Sequence, residues 1–405
     1  MPSAAAAACF GSGEVMRVGV DATSWVNRRG FGRFARNAVG RLVELDRQTT
    51  YVFTIDDESA PEAELPAGVE VCRVALRRTP SEAAAAGSSR SPTDLLKLTR
   101  AVRGQELDVF LFPSTYTWFP VVGAPTLVGV HDTILEDLPK LTVPTRRHRM
   151  LARRKQSLAI RRASRLFTVS NASRRAVSER WRVPAERIAV VPEAPDPVFA
   201  PRSGDDLERG LAEAGLEPGE RFFLFWGGIS PHKNAETLID AYALLRGQVE
   251  NAPQLVLVGD LEADSFLSSA ANVRARIAAH GLEASVRLPG YVPDGPLASL
   301  CSAATAVVIP SLAEGFGLPA VEAAACGAPL LLSDLPAHRE TLDGAALFFP
   351  PKDVEALAGL LARVSSDDGL RADLGARAGN AVAPLTWDAS AERLRGLLFE
   401  TAGLA

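Results

Sequence analysis

Short apolar or β-branched runs alternate with longer helical stretches along most of this chain, and that alternation limits it to a parallel α/β architecture. The first half offers strands at Arg17–Ala22, Tyr51–Ile55, Val69–Val74, Val109–Pro113, Thr126–His131, Leu166–Ser170 and Ile188–Pro192, with helical segments such as Gly32–Leu45 between several of them. The second half repeats the pattern at Phe222–Trp226, Leu255–Val258, Val286–Leu288, Val307–Ile309, Leu330–Ser333 and Leu347–Phe349. Between the halves, Glu193-Ala-Pro-Asp-Pro-Val-Phe-Ala-Pro201 carries three prolines in nine residues, which resists both helix and sheet and reads as a linker. Each half therefore reads as a doubly wound parallel sheet, and ligands of such sheets bind beyond the carboxyl ends of the strands.

With 405 residues and 47% hydrophobic side chains, the chain exceeds one ordinary core. The expected layout is a disordered lead-in over 1–14, a first domain over 15–195, a second over 196–386, and a final amphipathic helix, 387–405, packing back on the first. Thr79–Asp94, rich in Ala, Gly and Ser, reads as a mobile loop. A net charge of -4 argues against nucleic acid as a partner. Cys9, Cys72, Cys301 and Cys326 form neither a CxxC nor a Cys/His cluster, so no zinc site or disulfide framework is expected and a cytoplasmic location fits. The start lacks the basic and apolar regions of a signal peptide, and no apolar run is long enough to span a membrane.

The chemistry concentrates in Glu314-Gly-Phe-Gly-Leu-Pro-Ala-Val-Glu322. Ala306-Val-Val-Ile-Pro310 before it reads as a buried strand, and Ala323-Ala-Ala-Cys326 after it continues a helix to Gly327. Pro319 suits the first helical position, which leaves the amides of Gly315, Phe316, Gly317 and Leu318 in a loop and first turn where unpaired N–H groups favour an anion such as a diphosphate. Glu314 hangs from the loop and Glu322 lies about one turn into the helix, so the carboxylates occupy different subsites. The plainer reading is a solvated glutamate pair beside an ordinary turn.

This segment resembles the E-x7-E signature of retaining glycosyltransferases of family 4, whose fold is GT-B: two Rossmann-like domains facing an interdomain cleft. The second half adds Gly227-Gly-Ile-Ser-Pro-His-Lys-Asn234, similar to the family's G-x-x-x-P-x-K-N/G turn, then Leu257-Val-Gly-Asp260 and Leu288-Pro-Gly-Tyr-Val292. The first adds Gly30-Phe-Gly-Arg33, Val130-His-Asp132 and Thr168-Val-Ser-Asn-Ala-Ser173. The order and spacing of these pieces cover nearly the whole chain.

The resemblance implies roles. Glu314 would hold the donor sugar, Glu322 the ribose, and Lys233 the diphosphate; His131 would sit beside the reacting sugar, with Asp132 either its neighbour or a helix N-cap. Gly30 and Gly32 would offer amides to the donor, unless they form a plain turn, and Tyr291 and Val292 would meet the base through backbone atoms. The family often has arginine where this chain has Gly228, so the usual second cation is missing or is supplied from elsewhere, by His232 or an arginine. No D-x-D triplet occurs, so neither metal nor other cofactor is expected. Leaving-group charge would fall to the helix N-terminus and Lys233.

The implied activity is retaining hexosyl transfer from a nucleotide sugar to a saccharide, a lipid-linked acceptor or a small natural product. The pattern is closest to mannosyltransferases that build bacterial polysaccharides, so GDP-mannose is the first donor expected, followed by UDP-glucose and UDP-N-acetylglucosamine. Alternatives are a GT-B epimerase, a phosphorylase and a noncatalytic nucleotide-sugar-binding partner. Thr145–Lys155, which contains Arg153 and Arg154, continues to Arg161, Arg162 and Arg165 as a dense basic stretch. It reads as a solvated helix face or as an edge for an anionic lipid or acceptor, which would make the protein peripheral to the membrane.

Overall fold

A computed structural model describes residues 15–27, 30–61, 63–77, 90–143, 145–259 and 268–404. The lead-in 1–14, most of the Thr79–Asp94 stretch, Cys9 and Asp260 lie outside the described residues.

The chain forms two compact units. Unit 1 comprises Met1–Glu136, Val143–Glu193 and Trp387–Ala405, and unit 2 comprises Asp137–Thr142 and Ala194–Thr386. The short stretch Asp137–Thr142 thus groups with unit 2 rather than with the residues around it in sequence.

Unit 1 is built on β1 (Arg17–Asp21), β2 (Thr50–Asp56), β3 (Glu70–Val74), β4 (Val109–Phe112), β5 (Thr126–Gly129), β6 (Arg165–Thr168) and β7 (Ile188–Val190). They form one seven-stranded sheet in the order β3-β2-β1-β4-β5-β6-β7, and every pairing is parallel. The order reverses direction between β1 and β4, the switch point at which doubly wound sheets open a crevice. Central strands such as Val109–Phe112 are buried throughout, which is why they read as unbroken apolar runs instead of alternating ones.

Helix formation in this unit begins two residues earlier than the sequence pattern indicates. Gly30–Phe34 is α-helical, Ala35–Val39 is π-helical and Gly40–Leu45 is α-helical again. Gly30 and Gly32 therefore lie in a first helical turn, not in a free-standing glycine turn. Gly32 is required there, because a Cβ would come within 2.0 Å of the Asn27 carbonyl oxygen. The C-terminal helix Trp387–Ala402 packs within unit 1. Its Ser390 hydroxyl donates to the Pro192 carbonyl at 2.6 Å, while Asp388 pairs with Arg41 at 2.6 Å and Arg395 with buried Asp46 at 3.0 Å.

Unit 2 contains β8 (Phe222–Trp226), β9 (Gln254–Val258), β10 (Val286–Gly290), β11 (Ala306–Ile309), β12 (Leu330–Ser333) and β13 (Leu347–Phe349). Their order is β10-β9-β8-β11-β12-β13, again all parallel. Phe223, Phe225, Leu255, Leu257, Val308 and Leu331 pack into one core with the helix Ala235–Gln248. Pro289 lies in the edge strand β10, where its missing N–H costs no central ladder bond, and the register shifts between Arg287 and Gly290. Among the described residues, no helix is long and apolar enough to cross a membrane.

Candidate functional site

The carboxyl ends of β8 and β11 are neighbours, so the loops after them share one edge of unit 2. After β8 a single 3-10 turn, Pro231–Lys233, ends at Asn234, which holds the left-handed conformation with φ 58°. Its side-chain amide donates to the Pro310 carbonyl at 2.9 Å and to the Pro351 carbonyl at 2.6 Å. The Leu312 amide donates back to the His232 carbonyl at 2.8 Å. These bonds fasten the lysine turn to the chain leaving β11.

That fastening brings Lys233 to Glu314. The ammonium lies 2.7 Å from Glu314 Oε1, and the Ser311 hydroxyl donates to the same oxygen at 2.6 Å. Only 8% of the Glu314 side chain and 18% of the Lys233 side chain is exposed. Burial pushes the Glu314 carboxyl upward, but the charges of Lys233 and His338 and the two hydrogen bonds prevail and hold it at about 2. Glu314 is thus an anion fixed in orientation at any ordinary pH.

Beyond Glu314 the chain turns into the helix Leu318–Ala325 through Gly317, at φ 92° and ψ 40°, with no side-chain cap. Leu318 is the first helical residue, so Pro319 stands second, one place later than the sequence suggests. The positive end of the helix dipole lies at this turn and favours an anion, although Pro319 has no N–H and the Ala320 amide donates to the Gly317 carbonyl at 2.9 Å. Gly315, Phe316 and Leu318 are buried around that turn. Glu322 lies on the same helix and is 0% exposed.

His338 completes this edge, and it belongs to no motif that sequence reasoning singles out. It is 1% exposed on the helix Pro336–Leu342, and its Nδ1–H donates to the Ser333 carbonyl at 2.9 Å. A Cβ on residue 317 would lie 2.8 Å from the His338 ring, so the imidazole and the glycine are mutually fitted. Burial lowers the His338 pKa, with Glu314 pulling the other way. Nε2 has no partner among the described residues.

Gly228 is exposed after β8, and Ser230 Oγ lies 3.1 Å from His232 Nδ1 beside it. Tyr291 is 56% exposed just past β10, whereas Val292 is buried.

In unit 1, His131 follows β5. Its Nε2–H donates to the Pro113 carbonyl at 2.7 Å, Phe34 meets the ring edge-on, and Nδ1 faces Glu193 at 3.8 Å. Burial lowers the His131 pKa to about 4, so the ring is neutral at pH 7. Asp132 Oδ1 accepts from the Ile134 amide at 2.9 Å, in the manner of a helix cap. Arg153 and Arg154 are exposed on the helix Arg146–Arg162, and Arg153 donates to the Glu136 carbonyl at 3.1 Å. Gly30 is exposed and Gly32 buried at the first turn described above.

Two family profiles match the chain: "Glycosyltransferase Family 4" over 28–199 and "Glycosyl transferases group 1" over 209–381. O-antigen chain mannosyltransferase B of Escherichia coli is 32% identical over 207 residues, 51% of this chain and 52% of that protein. The MMP alpha-(1->4)-mannosyltransferase of Mycolicibacterium hassiacum is 33% identical over 254 residues, 60% of this chain and 57% of that protein. The chain thus spans about half the length of the curated relatives it matches. Among solved structures, sucrose-phosphate synthase from Thermosynechococcus elongatus superposes with a TM-score of 0.76 at 19% identity, covering 96% of this chain and 100% of that one. That likeness concerns the fold, which is GT-B.

Proposed function

This chain belongs to the group 1, family 4 glycosyltransferases, and from that premise we propose that it moves a hexose from a nucleotide sugar to an acceptor hydroxyl, with retention and without a metal ion. The observation that carries this reading is the Lys233–Glu314 pair set beside the uncapped helix start at Gly317. The helix N-terminus and Lys233 take the diphosphate and stabilise the charge that builds on it as the glycosidic bond breaks. Glu314, held ionised by the same lysine, accepts hydrogen bonds from sugar hydroxyls and favours the positive charge developing at the anomeric centre. Glu322 is assigned to the ribose and Tyr291 with Val292 to the base. His131, neutral in unit 1, takes the role that the family pattern gives it beside the sugar.

The mannosyltransferase relatives favour GDP-mannose as donor. The acceptor is a saccharide, glycolipid or small hydroxylated product. The helix Arg146–Arg162 exposes Met150, Leu151 and Leu158 among its arginines, which supports a cytoplasmic protein that also lies on an anionic membrane face.

The test incubates the full chain separately with GDP-mannose, UDP-glucose and UDP-N-acetylglucosamine, with and without chelator, and follows nucleoside diphosphate release and the anomeric configuration of the product. Chelator-insensitive release from one donor, with an α-linked or α-configured product, is expected. A rearranged sugar nucleotide, or release only with inorganic phosphate, would replace this reading with epimerase or phosphorylase chemistry.

A further inference from the structure

Unit 2 has a second cleft at the sheet edge opposite the Lys233 turn. The chain carrying Lys233 and Glu314 leaves the carboxyl ends of β8 and β11, whereas a cavity of about 480 Å³ lies at the amino ends of the same two strands. Its size falls within the roughly 300–1,000 Å³ of ordinary small-molecule clefts. Arg221 and Thr305 stand immediately before the strands and line the cavity, and the Thr305 amide donates to the Phe222 carbonyl at 2.8 Å. The pairing of β8 with β11 therefore fixes the floor.

One wall is basic. Arg221 Nη2 donates to the Ser365 carbonyl and Arg371 Nη1 to the Val364 carbonyl at 2.7 Å, so consecutive carbonyls in the last turn of the helix Val354–Ser366 set the two guanidiniums side by side. Those bonds close the end of that helix, yet a guanidinium has five N–H groups and these leave most of them unused. Arg221 is exposed and Arg371 half-buried. Arg371 also pairs with Asp368, but that carboxylate is 90% exposed and neutralises little of the charge.

A second wall is the helix Gly204–Glu213, which turns Leu207, Glu208 and Leu211 to the cavity. Leu211 and Ala304 are buried, Leu207 is half-buried, and Glu208 is exposed with no hydrogen bond among the described residues. Glu220 lines the cavity too, but its Oε1 accepts from Arg287 Nη2 at 2.9 Å, so its charge is matched within the fold. The unmatched groups are thus the two guanidiniums, one carboxylate and an apolar surface. A ligand with only a negative charge would leave Glu208 unanswered, and one with only a positive charge would leave the arginines so. We propose that this cavity binds a small zwitterion with an apolar body, of the class of amino acids and dipeptides, its carboxylate on Arg221 and Arg371 and its ammonium on Glu208. Nothing in this site depends on glycosyl transfer.

The test is ligand-observed saturation-transfer NMR on the full chain with L-leucine, L-phenylalanine and L-leucyl-L-leucine, and with the N-acetyl and carboxamide forms of each, which keep the apolar body and one charge. Binding of at least one zwitterion is expected, with both of its blocked forms weaker by about tenfold or more. Glu208→Gln, which breaks no hydrogen bond of the fold, should weaken the zwitterion about tenfold and leave its N-acetyl form unchanged, whereas Arg221→Gln should weaken both. Melting curves report whether Arg221→Gln folds, and the Glu208→Gln comparison stands without it. GDP is expected not to displace the probe. Binding of no zwitterion, an N-acetyl form bound as tightly as its parent, or full affinity in Glu208→Gln overturns the proposal. Displacement by GDP would put the probe at the Lys233 edge and overturn it as well.

Discussion

Lys233 and Glu314 are 81 residues apart in sequence and 2.7 Å apart in space, and the lysine helps hold the buried carboxyl ionised. Removing the lysine leaves a nearly buried carboxylate without its cation. Lys233→Ala is therefore expected to cost on the order of 3 kcal/mol of stability and to weaken nucleoside diphosphate binding at least tenfold, read by melting and titration. Stability unchanged in Lys233→Ala would mean that the pair is not formed.

The same pair sets an acid limit. Glu314 is depressed from its usual 4.5 to about 2, so its contribution is complete above 4.5 and is lost as pH falls toward 2. Glu314→Gln should flatten the stability profile in that window, with a difference of about 3 kcal/mol across it.

Gly317→Ala is expected to abolish donor binding, because the residue must take φ 92° and its Cβ would press on the His338 ring. The strain has two parts, and His338→Ala removes one of them. The double variant should recover part of the melting temperature lost by Gly317→Ala, a coupling that a cycle measures directly. Strict additivity would contradict the fitted contact.

His131 and Glu136 predict opposite pH trends within unit 1. Burial lowers His131 to about 4, so unfolding takes up a proton below its ordinary value near 6.5 and stability falls between about 6.5 and 4. Burial, with Asp132 nearby, raises Glu136 to about 8, so its contribution falls as pH climbs from 4.5 to 8. Glu136→Gln should raise the melting temperature at pH 7, and His131→Gln should flatten the acid side; a destabilised Glu136→Gln would show that the carboxyl is charged in the fold.

The Arg146–Arg162 helix predicts sedimentation with vesicles of anionic lipid, but not with neutral ones, and sensitivity to salt. Arg153→Gln combined with Arg154→Gln should reduce the bound fraction. Equal binding to neutral vesicles would assign the contact to Met150, Leu151 and Leu158 alone.

The sheets were legible because parallel strands buried on both faces, such as Val109–Phe112 and Leu330–Ser333, leave unbroken apolar runs in the sequence. The loop carrying Glu314 followed from the same alternation, whereas the strand order is a feature of the structure. Other features depend on distance in space. Asn234 binding Pro310 and Pro351, His338 fitting Gly317, and Arg90 gathering Asp21, Asp56 and Asp94 join segments with no shared spacing. A weak signal did exist for the last, since Asp21 and Asp56 both close apolar strands at the ends where ligands gather. The π-helical stretch Ala35–Val39 has no counterpart in the periodicity of its residues.

The most direct measurement is calorimetric titration of the full chain with GDP, UDP, ADP and dTDP, with and without chelator, repeated on Lys233→Ala. Chelator-insensitive binding of one of them, GDP first, is expected, and it is lost with the lysine. Binding to none, or binding that survives intact in Lys233→Ala, would contradict the donor reading.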